Sequence, residues 1–259
     1  MTRHLLVIGA QRSGTTYLHS LLDAHPEVTM ARPSRPEPKV FLDEERSALG
    51  VDWYRSTYFA HATDEVVLGD KSTSYIEDPH APARAAAMLG EPHVVALLRD
   101  PVTRAVSNWR FSTDNGLETR SLAEALTACL EEEAAGEWDR AGTSVSPFAY
   151  LARGRYADHL GPWLEAFPRT THVLFTSELL EDPAVIARLY SGLGVDPDVV
   201  PPDRDQVVNQ SAEPAPDLPD GLLARLRGYF AASDDALARL CGRPAPWTTD
   251  QGSDTHGAD

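Results

Sequence analysis

Residues Gly9-Ala10-Gln11-Arg12-Ser13-Gly14-Thr15-Thr16 concentrate anion-binding chemistry in eight positions. Glycines let the backbone bend and approach a ligand, and successive N–H groups can turn inward on an anion. The hydroxyls of Ser13, Thr15 and Thr16 add donors, and Arg12 adds a fixed cation. The stretch departs from the nucleotidase pattern GxxxxGK[ST] at one informative place, because Thr15 stands where the lysine belongs and the cation sits inside the loop. That shift argues against hydrolysis of ATP or GTP. A glycine-bearing turn without a ligand is the plain alternative, and the density of donors weighs against it.

For this loop to bind an anion, a strand must deliver it and a helix must follow it, and the flanking residues supply both. Leu5-Leu6-Val7-Ile8 reads as a buried strand, and Leu18, Leu21 and Leu22 recur at helical spacing before His25-Pro26 ends the helix. The helix then offers its positive N-terminal end to the loop. The same rhythm continues. Val66-Val67-Leu68 is a short candidate strand, and His93 to Leu98 a stronger one that runs into Asp100-Pro101 as N-cap and first helical residue. Ser121 and Glu124 form a capping-box pair before a helix reaching Gly136, and Thr171 to Thr176 is a further strand. Asp182-Pro183 opens a helix that stops near Gly194, and a last helix runs from Leu222 to about Leu240. Strands alternating with helices predict an α/β fold, a P-loop-type parallel β-sheet flanked by helices on both faces. The Pro- and Asp-rich segment 199–219 reads as a long surface loop.

The chain has 259 residues, 42% of them hydrophobic, enough for one large domain, expected over residues 1–247. Residues 248–259 are small and polar and read as a disordered tail. Twenty-three Lys and Arg against thirty-nine Asp and Glu give a net charge of -16. Such a surface disfavours nucleic acid and anionic membranes as partners. No apolar run approaches membrane-spanning length and no leader pattern opens the sequence, so a cytoplasmic location is expected. Cys129 and Cys241 stand far apart, and nine histidines occur without metal-ligand spacing, so no metal is expected.

The loop resembles the 5′-phosphosulfate loop of sulfotransferases that use 3′-phosphoadenosine 5′-phosphosulfate (PAPS) as donor, with Arg12 where many members carry lysine. A second motif sharpens the likeness. Leu97-Leu98-Arg99-Asp100-Pro101-Val102-Thr103-Arg104-Ala105-Val106-Ser107 is similar to the family's 3′-phosphate site, which implies that Arg99 and Ser107 grip that phosphate. An arginine can do so with a forked, charge-assisted pair. A third stretch, Gly69-Asp70-Lys71-Ser72-Thr73, resembles the Glu-Lys-Ser/Thr segment of members acting on glycosaminoglycans. That likeness implies Asp70 as general base, on a side chain one carbon shorter, and Lys71 close to the transferring group. Asn209, in the Asp/Pro-rich loop, falls where relatives close a segment over the nucleotide.

The resemblance therefore implies a donor site of Gln11, Arg12, Ser13, Gly14, Thr15, Thr16, Arg99, Ser107 and Asn209, with Arg12, Asp70 and Lys71 catalytic. Sulfuryl transfer should run in line through a loose transition state, and fixed cations can stabilise the leaving oxygen without Mg²⁺. His61 and His80 flank the third segment and are alternative bases. The acceptor is expected to be a small molecule or a carbohydrate. Trp53-Tyr54-Arg55, Tyr58-Phe59, Trp109-Arg110-Phe111 and Phe148 with Tyr150 could line an aromatic pocket, with core packing the better reading for about half of them. Two other readings stay open on the residues alone: a P-loop small-molecule kinase, and a non-catalytic nucleotide-binding protein of the same fold. Oligomeric state has no signature in the sequence.

Overall fold

A computed structural model describes residues 2–136, 146–201 and 217–249. The chain divides into two compact units, Met1–Leu98 with His159–Ala212, and Arg99–Asp158 with Glu213–Asp259.

The first unit is built on a five-stranded sheet in the order β2-β3-β1-β4-β5, with every pairing parallel. The strands are β1 (Arg3–Gly9), β2 (Val28–Met30), β3 (Val67–Lys71), β4 (His93–Leu98) and β5 (Thr171–Phe175). Leu5 to Ile8 are fully buried at the sheet centre, as a strand covered on both faces requires. Side chains alternate across the sheet and separate two packing layers. Leu5, Val7, Val67, Val95 and Leu97 pack with Leu18, Leu21 and Leu22 of α1 (Thr15–Asp23) and with Ile186, Leu189 and Leu193 of a later helix, Pro183–Leu193. On the opposite face His4 and Asp70 meet Tyr54, carried by the helix Gly50–Tyr58. Helices therefore cover both faces, as the strand–helix rhythm predicts.

The remaining helices are α2 (Glu44–Ser47), α3 (Gly50–Tyr58), α4 (Ala81–Leu89), α5 (Pro101–Asp114), α6 (Leu122–Ala135), α7 (Tyr156–Ala166), α8 (Thr176–Glu181), α9 (Pro183–Leu193), α10 (Asp220–Cys241) and α11 (Pro246–Thr249). The caps read from sequence are present: Asp182 accepts from Ala184 N at 2.8 Å, and Ser121 and Glu124 satisfy each other's backbone N–H. In the second unit α5, α6 and α10 share a core of Val102, Ala105, Leu126, Leu151, Leu226 and Phe230.

Several boundaries differ by one or two residues from the sequence reading, and β3 differs at both ends. β3 starts one residue later than expected and runs on to Lys71, pairing Leu6 with Asp70 and Val7 with Lys71. Gly69 lets its β2 register partner Met30 pack against it, because a Cβ there would collide with the Met30 sulfur. β2 is three residues long, too short to show a period. Cys129 is buried and Cys241 half-buried, both as free thiols. Among the described residues no helix is long and apolar enough to cross a membrane. Asn209 and positions 250–259 lie outside the described residues.

Candidate functional site

The loop after β1 occupies the carboxyl end of the central strand, where ligands of open parallel sheets bind. Its shape comes from two left-handed residues, Arg12 with φ 66° and Gly14 with φ 84°. Gly14 caps α1 without a side-chain hydrogen bond, which leaves the first-turn N–H groups of Thr15 and Thr16 for a ligand. The loop is tied down from behind. Ala10 N donates to Leu97 O at 2.8 Å, and the single Thr176 hydroxyl proton is shared between Ser13 O at 2.7 Å and Leu98 O at 2.9 Å. Gln11 Nε2 donates to Ser74 Oγ at 3.1 Å, which joins the loop to the segment after β3. The Ser13 hydroxyl is wholly buried and has no hydrogen-bond partner among the described residues. An unsatisfied buried hydroxyl beside the uncapped first turn of α1 fits an anionic oxygen as its missing partner.

Asp70 and Lys71 are neighbours on a strand, so their side chains leave on opposite faces. Lys71 belongs to the α1 side, where its charge reaches His19. Burial lowers the His19 pKa from its ordinary value, Asp23 opposes that shift, and Lys71 adds to it. Lys71 Nζ makes a 2.6 Å ion pair with Glu37 Oε1. Glu37 also accepts from Thr73 N at 3.0 Å and from Thr73 Oγ1. It sits in the Arg35-Pro36-Glu37-Pro38 segment and is half-buried, with its side chain 16% exposed.

Asp70 has the opposite environment. It is wholly buried, and both carboxylate oxygens are engaged: Ser72 Oγ donates to Oδ1 at 2.7 Å, and Tyr54 and Tyr75 donate to Oδ2 at 3.0 and 2.9 Å. Burial pushes its pKa up to about 6 although the three hydroxyls pull the other way. The enclosed carboxylate keeps no surface exposed to solvent. The acidic group beside Lys71 that keeps an exposed edge is Glu37, which the sequence reading passed over. The prolines on either side of Glu37 mark a rigid, non-helical segment, the one local signal that could have drawn attention to it.

His61 is held by Thr29 Oγ1 and Met30 O, both at 3.1 Å, and His80 is an exposed residue before α4. Neither has a described link to Lys71 or Glu37. Several of the aromatic residues are core: Tyr54, Tyr58 and Phe59 pack together and against His4 and Phe41, and Tyr150 is buried in the second unit. Trp53, Trp109 and Phe148 are half-buried, and Phe111 is 43% exposed.

The second unit holds Arg99 and Ser107. The Arg99 carbonyl accepts from Tyr156 OH at 2.7 Å, and its guanidinium is half-buried, which lowers its pKa from the ordinary value. Asp100 caps α5 through Val102 N at 2.8 Å, and Arg227 of α10 clamps it with a fork of 2.9 and 2.6 Å. Ser107 is half-buried about two turns into α5. Among the described residues no group of three His, Cys, Asp or Glu side chains is placed to hold a metal ion.

Comparison with known proteins matches residues 2–211 to the sulfotransferase domain family. The chain is 31% identical over 180 residues to heparan sulfate glucosamine 3-O-sulfotransferase 3B1 of Mus musculus, covering 69% of this chain and 42% of that one. It is 30% identical over 193 residues to bifunctional heparan sulfate N-deacetylase/N-sulfotransferase 1 of Caenorhabditis briggsae, covering 70% and 21%. The chain thus spans less than half the length of these relatives. In structure it resembles a sulfotransferase from Alicyclobacillus acidocaldarius, with TM-score 0.75, 24% identity and coverage of 95% and 98%, a likeness of fold. With the family matched across most of its length, the chain belongs to the sulfotransferase domain family.

Proposed function

We propose that this protein transfers a sulfuryl group from PAPS to a hydroxyl or amine of a carbohydrate or small-molecule acceptor, with residues 1–247 acting as one sulfotransferase domain. The observation that carries this reading is the unpartnered, buried Ser13 hydroxyl in a loop aimed by Gly14 and α1, joined through Gln11 and Ser74 to the segment bearing Lys71. An anion is the partner that such a set of donors lacks. The donor supplies an activated sulfuryl group when bound. Gln11, Arg12, Ser13, Gly14, Thr15 and Thr16 hold its phosphosulfate end, and Arg99 and Ser107 take the 3′-phosphate. Asn209, outside the described residues, keeps the nucleotide-closing role implied by its resemblance.

Arg12 and Lys71 supply positive charge where the leaving oxygen becomes more negative, and this reading gives no metal a role. Glu37 takes the proton of the acceptor on a carboxylate oxygen, the role that the burial of Asp70 denies to Asp70. The relatives are named for heparan sulfate, which supports a carbohydrate acceptor.

The test is turnover of PAPS across sugar, amine and phenol acceptors, read as release of 3′-phosphoadenosine 5′-phosphate. Acceptor-dependent release should fall about 10²–10⁴-fold in Glu37→Gln, the loss expected for a general base. Release that no acceptor accelerates would overturn the proposed activity. Unchanged kcat in Glu37→Gln would remove Glu37 from the base role.

A further inference from the structure

The hydrogen bonds around Asp70 lead outward as well as inward. Ser72 Oγ donates to Asp70 and accepts from Lys39 N at 2.9 Å, and Tyr75 OH donates to Asp70 and accepts from Phe41 N at 3.4 Å. Both amides belong to the segment that follows Glu37. Lys39 itself adopts a left-handed backbone, with φ 51°, a conformation unfavourable for a residue with a Cβ and in need of outside support. Phe41 is fully buried and packs on Tyr75 and Tyr54 at ring-centre distances of 5.3 and 5.9 Å.

A carboxylate only accepts hydrogen bonds, whereas each hydroxyl has a single proton to give. All three hydroxyl protons around Asp70 are therefore committed to it, and the lone pairs of Ser72 and Tyr75 are left facing the amides of Lys39 and Phe41. The polarity of the whole network follows from one buried charge. The groups bonded to Asp70 are Tyr54 from α3 and Ser72 and Tyr75 from the segment after β3, and the charge of Glu37, on the Lys71 side, adds to the rise in the Asp70 pKa.

We propose that Asp70 is a positioning residue, which fixes the backbone of residues 37–41 through Ser72 and Tyr75 and thereby aims the Glu37 carboxylate beside Lys71. The role depends on Asp70 staying out of reach of substrate, as its burial ensures. It rests on the reading of Glu37 as the base, and the experiment separates the two.

Hydrogen exchange followed by mass spectrometry reads the segment directly in the full-length wild-type protein and in Asp70→Asn, Ser72→Ala and Glu37→Gln. Asp70→Asn should exchange at least tenfold faster over residues 37–43, with residues 3–9 of β1 unchanged, and Ser72→Ala should reproduce the effect at Lys39. Glu37→Gln should leave the amides of 39 and 41 protected. In turnover, Asp70→Asn should lower kcat at least tenfold while KM for PAPS stays within twofold, because the donor loop meets this segment at Ser74 and not at the side chains of Asp70, Ser72 or Tyr75. Should Asp70→Asn fail to fold, Ser72→Ala carries the test, since it keeps the carboxylate and both tyrosine bonds. Unchanged exchange over 37–43 overturns the proposal, and so does faster exchange with unaltered kcat. If wild type shows no turnover at all, the base reading falls, and the exchange data still decide whether Asp70 holds the segment.

Discussion

Replacing Asp70 with asparagine should change how stability depends on pH, in a direction and amount that its surroundings set. The carboxyl is wholly buried, and burial moves its pKa from the ordinary 3.8 to about 6. The folded protein thus binds this proton more tightly than the unfolded chain does. The stability so gained is complete below pH 3.8 and is lost as the pH rises through about 6. At about 1.4 kcal/mol per unit the full effect is roughly 3 kcal/mol, and about 2 kcal/mol of it is lost between pH 4 and pH 7, because the unfolded carboxyl is already more than half ionised at pH 4. The amide that replaces the carboxyl in the variant cannot ionise, so that contribution vanishes, whatever fixed cost the amide imposes on the three hydroxyls. His4, whose pKa is lowered to about 4 by burial and by Arg55, contributes with the opposite sign, losing stability as the pH falls. It does so equally in both proteins and cancels in the comparison. The assay is urea unfolding of wild type and Asp70→Asn at several pH values from 4 to 7. The difference between the two proteins should shift by about 2 kcal/mol across that range, in favour of the variant at the higher pH. Parallel stability curves would refute the reasoning, because they would mean that Asp70 titrates alike in the folded and unfolded chain.

Lys71→Ala should lower kcat about 10²–10³-fold, the usual cost of removing one charge-stabilising donor, and a smaller loss at saturating acceptor would place Lys71 outside the chemistry. Arg227→Ala should weaken binding of 3′-phosphoadenosine 5′-phosphate about tenfold, since it uncovers the negative charge of Asp100 next to Arg99, and calorimetry reads the change. Gly69→Ala should destabilise the protein by about 1–3 kcal/mol in urea unfolding, because the added methyl meets the Met30 sulfur; a neutral outcome would mean that β2 yields freely.

Four of the five strands, β2 excepted, and the helix caps named above were legible because they depend on local rules. The apolar run of β1, the Asp-Pro starts of α5 and α9 and the Ser121–Glu124 box are short-range devices, each read within a few residues. The local structure around residues 9–16 was legible for the same reason, as a strand, a glycine-rich turn and a helix in immediate succession. What escaped was long-range or depended on strand phase. Asp70 and Lys71 look like a catalytic couple when read as a string, and only the extension of β3 through Lys71 shows that they face apart. Glu37 meets Lys71 across 34 positions of sequence, in a proline-rich segment without periodicity. Tyr54 suits a pocket lining as well as a core position, and a bond to a carboxylate sixteen residues away makes it core. Nothing local distinguishes a carboxylate with an exposed edge from one that is wholly enclosed.

The central claim is a nucleotide donor carrying a 3′-phosphate, and calorimetric titration with 3′-phosphoadenosine 5′-phosphate tests it most directly, with 5′-AMP and ATP–Mg²⁺ as comparators and Arg99→Ala alongside. A charge-assisted bond to the 3′-phosphate is worth about 1.5–3 kcal/mol, so wild type should prefer the 3′-phosphorylated ligand by roughly ten- to a hundredfold, and Arg99→Ala should erase that preference. Equal affinity for 5′-AMP, or tighter binding of ATP–Mg²⁺, would contradict the account.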